Sequence, residues 1–267
     1  MKKQLARVFL SLIMVLSVSV CMLASAKSTM KVCTSAADLG EIVMDGYNLG
    51  EKGSVQIIEG TYTSNKGNTF DVYVVTVSGT ENEIQHKVSN SGLSLDFAAL
   101  NIKNSPYYYR IKTIIQENIP KGSRIFFVGH SLGGMMTQQL ATDKDLKADY
   151  IIKFDLVFAG PYTQPNDKRE GGICRLGDWS DVIPLETANL LTHPKETLTY
   201  SREYGGYGID FWGAHMNSYE NSDVWGKYDV TGKKGGKATL TLDMSTRKFY
   251  KSDYVLILQD LINDLGK

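Results

Sequence analysis

The amino-acid sequence predicts an α/β fold, a mainly parallel central sheet with helices on both faces. Three observations lead there. Short apolar, strand-like runs alternate along the chain with stretches of helical spacing. Residues 124–129, RIFFVG, form a short apolar run of the kind found in strands buried on both faces. That run leads without a linker through GHS into LGGMMTQQLAT, which reads as a helix.

The elements follow in order. Residues 1–26 carry Lys2, Lys3 and Arg7, then an apolar run from position 8 to about 23, then Ala24, Ser25 and Ala26. This is the pattern of a secretory signal peptide cleaved before Lys27, and the expectation is an exported protein, whether secreted, periplasmic or at the cell surface. The bulky Val20 argues against a lipoprotein site at Cys21. No repeat or Pro- or Ser-rich linker divides residues 27–267, which are expected to be a single domain. Residues 54–60 and 69–80 read as strands, the second rich in Val and Tyr and closed by Gly79. Residues 81–92 are polar and read as loop, and 96–100 could begin a helix. Residues 105–119 carry Pro106 in the first turn and Tyr108, Ile111, Ile114 and Ile115 at helical spacing, which predicts an amphipathic helix. Apolar strands are expected within 150–161 and at 173–177, an added edge hairpin strand at 237–245, and a closing helix at 253–265.

Composition narrows the function. Of 267 residues, 42% are hydrophobic, enough for a sizeable core. Twenty-nine basic residues balance 29 acidic ones. Without residues 1–26 the chain carries a net charge of about −3, so nothing global draws it to nucleic acid or anionic membrane. Cys33 and Cys174 remain after cleavage and form either one disulfide or two buried thiols. His86, His130, His193 and His215 are scattered, without metal-site spacing.

Gly129-His130-Ser131-Leu132-Gly133 matches G-x-S-x-G, with a strand before it and a helix after it. In that setting the serine sits on a sharp turn as a nucleophile, and the amide of Leu132 faces a developing oxyanion. A serine hydroxyl needs a base, which in this architecture follows an acid in chain order. His193 lies in a turn before Pro194, and His215 lies in an aromatic-rich loop, which makes His215 the better base. For the acid, Asp178 and Asp181 lie just past a short strand. Asp155 sits within an apolar strand and Asp167 in a polar loop, which makes both weaker. Thr80, after Gly79 at the end of an early strand, is placed to give the second oxyanion donor.

From about residue 70 to 219 the chain resembles the class 3 (fungal-type) lipases of the α/β-hydrolase fold. GHSLGG matches that family's elbow in full. VVTVSGT is similar to its strand and oxyanion turn, LVFAGPYTQPND to a later strand and loop, SDVIPLE to its acid segment and HMNSY to its histidine segment. The resemblance implies an α/β-hydrolase-like sheet, Ser131 as nucleophile, Asp181 rather than Asp178 as acid, His215 as base, and Thr80 and Leu132 as oxyanion donors. It implies a small-molecule or lipid ester as substrate, transient contact with a lipid interface, and no metal or cofactor. Ser78 departs from the pattern by standing where the family has an arginine. The glycine and proline of FAGP are adjacent, which shifts the match there. A lid that docks on lipid exposes an apolar face. Residues 81–92 offer only Ile84 and Val88 at helical spacing, followed by Leu93, which favours a more soluble ester. A serine acyltransferase or thioesterase would use the same site, and a non-catalytic binding protein on this scaffold is the alternative from another class.

Overall fold

The computed structural model describes residues 29–47, 53–79, 106–161, 163, 172–183 and 198–251. The expected signal peptide, Thr80, the polar stretch 81–92, the helix start at 96–100, Asp167, His193 and the closing helix at 253–265 lie outside the described residues.

Among the described residues the chain forms one mixed sheet. Its strands are β1 (Met30–Cys33), β2 (Val55–Thr63), β3 (Thr69–Val77), β4 (Arg124–His130), β5 (Ile151–Phe158), β6 (Gly172–Asp178), β7 (Leu198–Glu203), β8 (Thr239–Asp243) and β9 (Lys248–Tyr250). They run β1-β8-β2-β3-β4-β5-β6-β7, with β9 pairing on β2. Strands β3 to β7 are parallel. The pairings β1–β8, β8–β2, β2–β3 and β2–β9 are antiparallel.

Strand β4 shows why the middle of the sheet holds. It lies between β3 and β5, and its side chains alternate between faces. Phe126 and Val128 join one core, and Ile125 and Phe127 the other. A continuous apolar run is what a strand covered on both faces requires. Truncating Phe126 or Phe127 to Ala should cost about 3–5 kcal/mol.

The two faces are covered by different parts of the chain. The crossovers β3→β4 and β4→β5 step in the same direction across the sheet, so right-handed connections put their helices on one face. There α2 (Pro106–Asn118), α3 (Leu132–Leu140) and α4 (Lys144–Asp149) pack on Val75, Val77, Ile125 and Phe127. The expected stripe on α2 is the buried one, with Tyr108, Ile111, Ile114 and Ile115 all inside. The opposite face is covered by α1 (Ala36–Met44), α6 (Ser222–Trp225) and the chain around them. Ser35 caps α1 in a reciprocal capping box with Asp38.

One expectation is revised and one open alternative is settled. The strand within 237–245 is not at an edge, because β8 lies between β1 and β2 and pairs with both. Its alternation correctly marked one buried face, with Leu240 and Leu242 inside, but alternation does not report how many neighbours a strand has. Cys33 and Cys174 are both buried free thiols. Cys33 lies on β1 and Cys174 on β6, six strand spacings of about 4.8 Å apart along the sheet, beyond the ~7 Å limit for a disulfide. Burial pushes the Cys33 thiol up to about 12, so it stays protonated.

Candidate active site

Ser131 follows the last residue of β4 and precedes α3. Its backbone holds φ 56° and ψ −127°, outside the regions an L-residue ordinarily occupies. Such a conformation costs on the order of 1–3 kcal/mol and needs surroundings that enforce it. The surroundings here do so. The Ser131 amide donates to the carbonyl of Phe158 at 2.9 Å, and its own carbonyl accepts from the Met135 amide at 3.2 Å. A Cβ on Gly129 would lie 2.6 Å from the Gly134 Cα, and one on Gly133 would lie 2.1 Å from the Val77 carbonyl oxygen. Only glycines let the first turn of α3 sit this close to the ends of β3 and β4. The Leu132 amide opens α3, where first-turn N–H groups lack partners within the helix.

His215 meets the serine from the far end of the described chain. It lies in the last turn of α5 (Phe211–Asn217) rather than in the expected loop. Asp210 caps this helix through a 2.8 Å bond from the Gly213 amide, and local capping of this kind organises a segment whose length alone would not. His215 Nδ1 is 3.0 Å from Asp181 Oδ2, and Nε2 is 3.0 Å from Ser131 Oγ. A carboxylate only accepts, so Nδ1 carries the proton and Nε2 is left to accept from the serine hydroxyl. All three side chains are buried, with Ser131 at 5% exposure. Asp181 Oδ1 accepts from the Ile183 amide at 3.0 Å, and Oδ2 accepts from the Tyr219 hydroxyl at 2.7 Å.

The two candidate acids occupy different places. Asp178 ends β6, and its carboxylate is engaged elsewhere: Oδ2 accepts from Ser218 Oγ at 2.6 Å and Oδ1 from the Ser180 amide at 2.7 Å. Asp181 lies three residues on, beyond the turn, and meets His215. Asp155 is buried in β5 at the level of Phe127, well short of the strand end. Ser78 is fully buried and donates to the Val43 carbonyl at 2.7 Å, with the Gly46 backbone packed against it, so an arginine has no room there.

Several contributing residues were not read from the sequence. Tyr219 lies one turn beyond His215, and the H-x-x-x-Y spacing was its only signal. His130 and Tyr47 meet at the site although 83 positions separate them, and no local pattern points to Tyr47. Among the described residues no group of three or more His, Cys, Asp or Glu side chains is placed to hold a metal ion.

No protein-family model and no curated protein matches the chain. Among solved structures, a triacylglycerol lipase from Penicillium expansum aligns with 64% of this chain and 77% of its own, at 16% identity and a TM-score of 0.31.

Proposed function

We propose that the protein is an exported serine hydrolase that cleaves carboxylic esters. The observation that carries the reading is the continuous Asp181–His215–Ser131 hydrogen-bond chain, which ends on a strained residue at the carboxyl end of a buried parallel strand. In this reading Ser131 Oγ attacks the ester carbonyl while His215 Nε2 takes its proton. Asp181 holds the imidazole tautomer and stabilises the imidazolium. The Leu132 amide, with Thr80 as the second donor, holds the oxyanion. His215 then returns the proton to the leaving alkoxide, and water enters by the same route in reverse to release the acid.

Exposed apolar side chains on the segments that follow β6 and β7 and on α5, with Trp212 against His215, support a substrate with an apolar portion. Trp179 follows β6 and Tyr204 follows β7, while Ile209, Phe211 and Trp212 lead into or lie on α5, and all are exposed. Trp212 lies 5.5 Å from the His215 ring, centre to centre. Export rests on the pattern of residues 1–26, and N-terminal sequencing of the mature protein should begin at Lys27. The test of the catalytic reading is covalent labelling by a fluorophosphonate probe. Ser131 should be labelled in the folded protein, and Ser131→Ala should abolish the label. A folded protein that takes no label would favour a non-catalytic binding role.

A further inference from the structure

His130, the residue before Ser131, is fully buried and bonded at both ring nitrogens. Nε2 lies 2.9 Å from the backbone carbonyl of His215, and Nδ1 lies 2.6 Å from the Tyr47 hydroxyl. A carbonyl only accepts, so Nε2 carries the proton and Nδ1 is the acceptor. The Tyr47 hydroxyl therefore spends its hydrogen on His130, and its oxygen is free to accept from the Gly79 amide at 2.6 Å. One directional chain results: Gly79 N–H to Tyr47 O–H to His130 to the His215 carbonyl.

Three members of that chain belong to three parts of the proposed machinery. Gly79 ends the described part of the β3 turn, directly before Thr80 in sequence. His130 is bonded covalently to the nucleophile residue. The His215 carbonyl belongs to the backbone that carries the base. The pieces also pack closely. The His130 and His215 rings lie 4.8 Å apart, the Tyr47 and His130 rings meet edge to face at 5.5 Å, and a Cβ on Gly79 would lie 2.4 Å from the Tyr47 hydroxyl oxygen. Burial, with His215 alongside, holds His130 well below the usual histidine range, and this keeps the ring neutral. A neutral ring is what the chain requires, because a proton on Nδ1 would remove the acceptor that Tyr47 uses.

We propose that Tyr47 and His130 are positioning residues for the hydrolytic reaction, a polar clamp that sets the oxyanion turn, the serine elbow and the His215 backbone in register. The proposal rests on the serine-hydrolase reading above. His130 makes no bond to reacting atoms in it; its work is to hold three segments at fixed distances, and small misplacements of reacting groups cost large factors in rate.

The test uses the full chain. Tyr47→Phe keeps the ring and deletes only the hydroxyl, His130→Gln keeps an N–H donor, and His130→Ala keeps none. Three quantities are measured: kcat and KM on short p-nitrophenyl esters, fluorophosphonate labelling of Ser131, and ring nitrogen NMR spectra of labelled histidines. Tyr47→Phe should lower kcat on the order of tenfold or more with KM little changed. It should also release His130 from its single Nε2–H tautomer without a loss of native near-UV circular dichroism. His130→Gln should retain more kcat than His130→Ala. Wild-type kcat, labelling and tautomer in Tyr47→Phe would overturn the clamp and leave the hydrolase reading intact. Equal losses in His130→Gln and His130→Ala that track unfolding would reduce the pair to a structural role and also overturn it. A wild-type chain whose Ser131 takes no label would overturn the hydrolase reading itself, and the clamp with it.

Discussion

The two halves of the sheet carry different loads. The parallel half, β3 to β7, ends in the strained Ser131 and in buried polar side chains bonded to one another. The antiparallel flank of β1, β8, β2 and β9 includes no member of the proposed triad and contributes core residues such as Ile58, Leu240 and Leu242. Among the described residues, the non-glycine residues with positive φ, Ser131 and Ala159, both follow parallel strands directly. Parallel strands all end at one edge, so their following turns converge there and can build a site, whereas an antiparallel flank splits its turns between two edges. Core residues of both halves supply the burial that offsets this strain and polar burial.

This contrast predicts that substitutions of the triad residues at the ends of the parallel strands change rate at nearly constant stability, and that core truncations in the flank do the reverse. The largest effect should come from Ser131→Ala, on the order of 10⁶-fold in kcat with little change in thermal midpoint, read by steady-state ester hydrolysis and calorimetry. Asp181→Asn should cost about 10⁴-fold in kcat, because the amide favours the wrong imidazole tautomer. Asp178→Asn should cost far less, since Asp178 is engaged with Ser218 and Ser180; equal losses in the two variants would erase the distinction between the acids. In the flank, Leu240→Ala should lower unfolding free energy by about 2–5 kcal/mol in urea titrations while kcat stays near wild type. The thiols give a smaller test that spans both halves. Reductant should leave the thermal midpoint unchanged, because Cys33 and Cys174 are not joined.

The smallest effect concerns pH. Burial pushes the Glu203 carboxyl up, but hydrogen bonds from Lys227, Tyr228 and Lys234 outweigh it and bring it down to about 2. A folded value below the unfolded 4.5 means that its contribution is fully present above about pH 4.5 and is lost as pH falls through about 2. The group lies near the surface, so the contribution is modest. Glu203→Gln should flatten acid unfolding slightly over that window and leave the rate at neutral pH unaffected.

Legibility followed sequence distance. The strand–serine–helix unit was readable because everything that defines it lies within twenty residues: an apolar run, glycines where backbones touch, and a helical period. The Ser, acid, His order was readable from the elbow architecture, but residue type alone left Asp178 and Asp181 open, and only the family resemblance favoured Asp181. A turn decides between them, since both are acidic and only one emerges facing the imidazole. The helix under His215 was missed because its glycine and aromatics suggest a loop, whereas the Asp210 cap and packing favour a helix. Thr80 lies outside the described residues, and its place in the oxyanion site rests on its position after Gly79 and on the resemblance.

The sequence by itself determined the α/β class, the buried core strand and the position of the candidate nucleophile, because periodicity and short glycine motifs act between near neighbours. Only the tertiary structure decided which carboxylate reaches His215, where β8 sits, and that Tyr47 and His130 lock together. The site contacts depend on pairs 34, 84 and 83 residues apart for Asp181–His215, Ser131–His215 and Tyr47–His130, and the place of β8 depends on pairing with β1 and β2. The hydrogen bonds that settle such pairs exist only once the sheet has brought their turns to one edge.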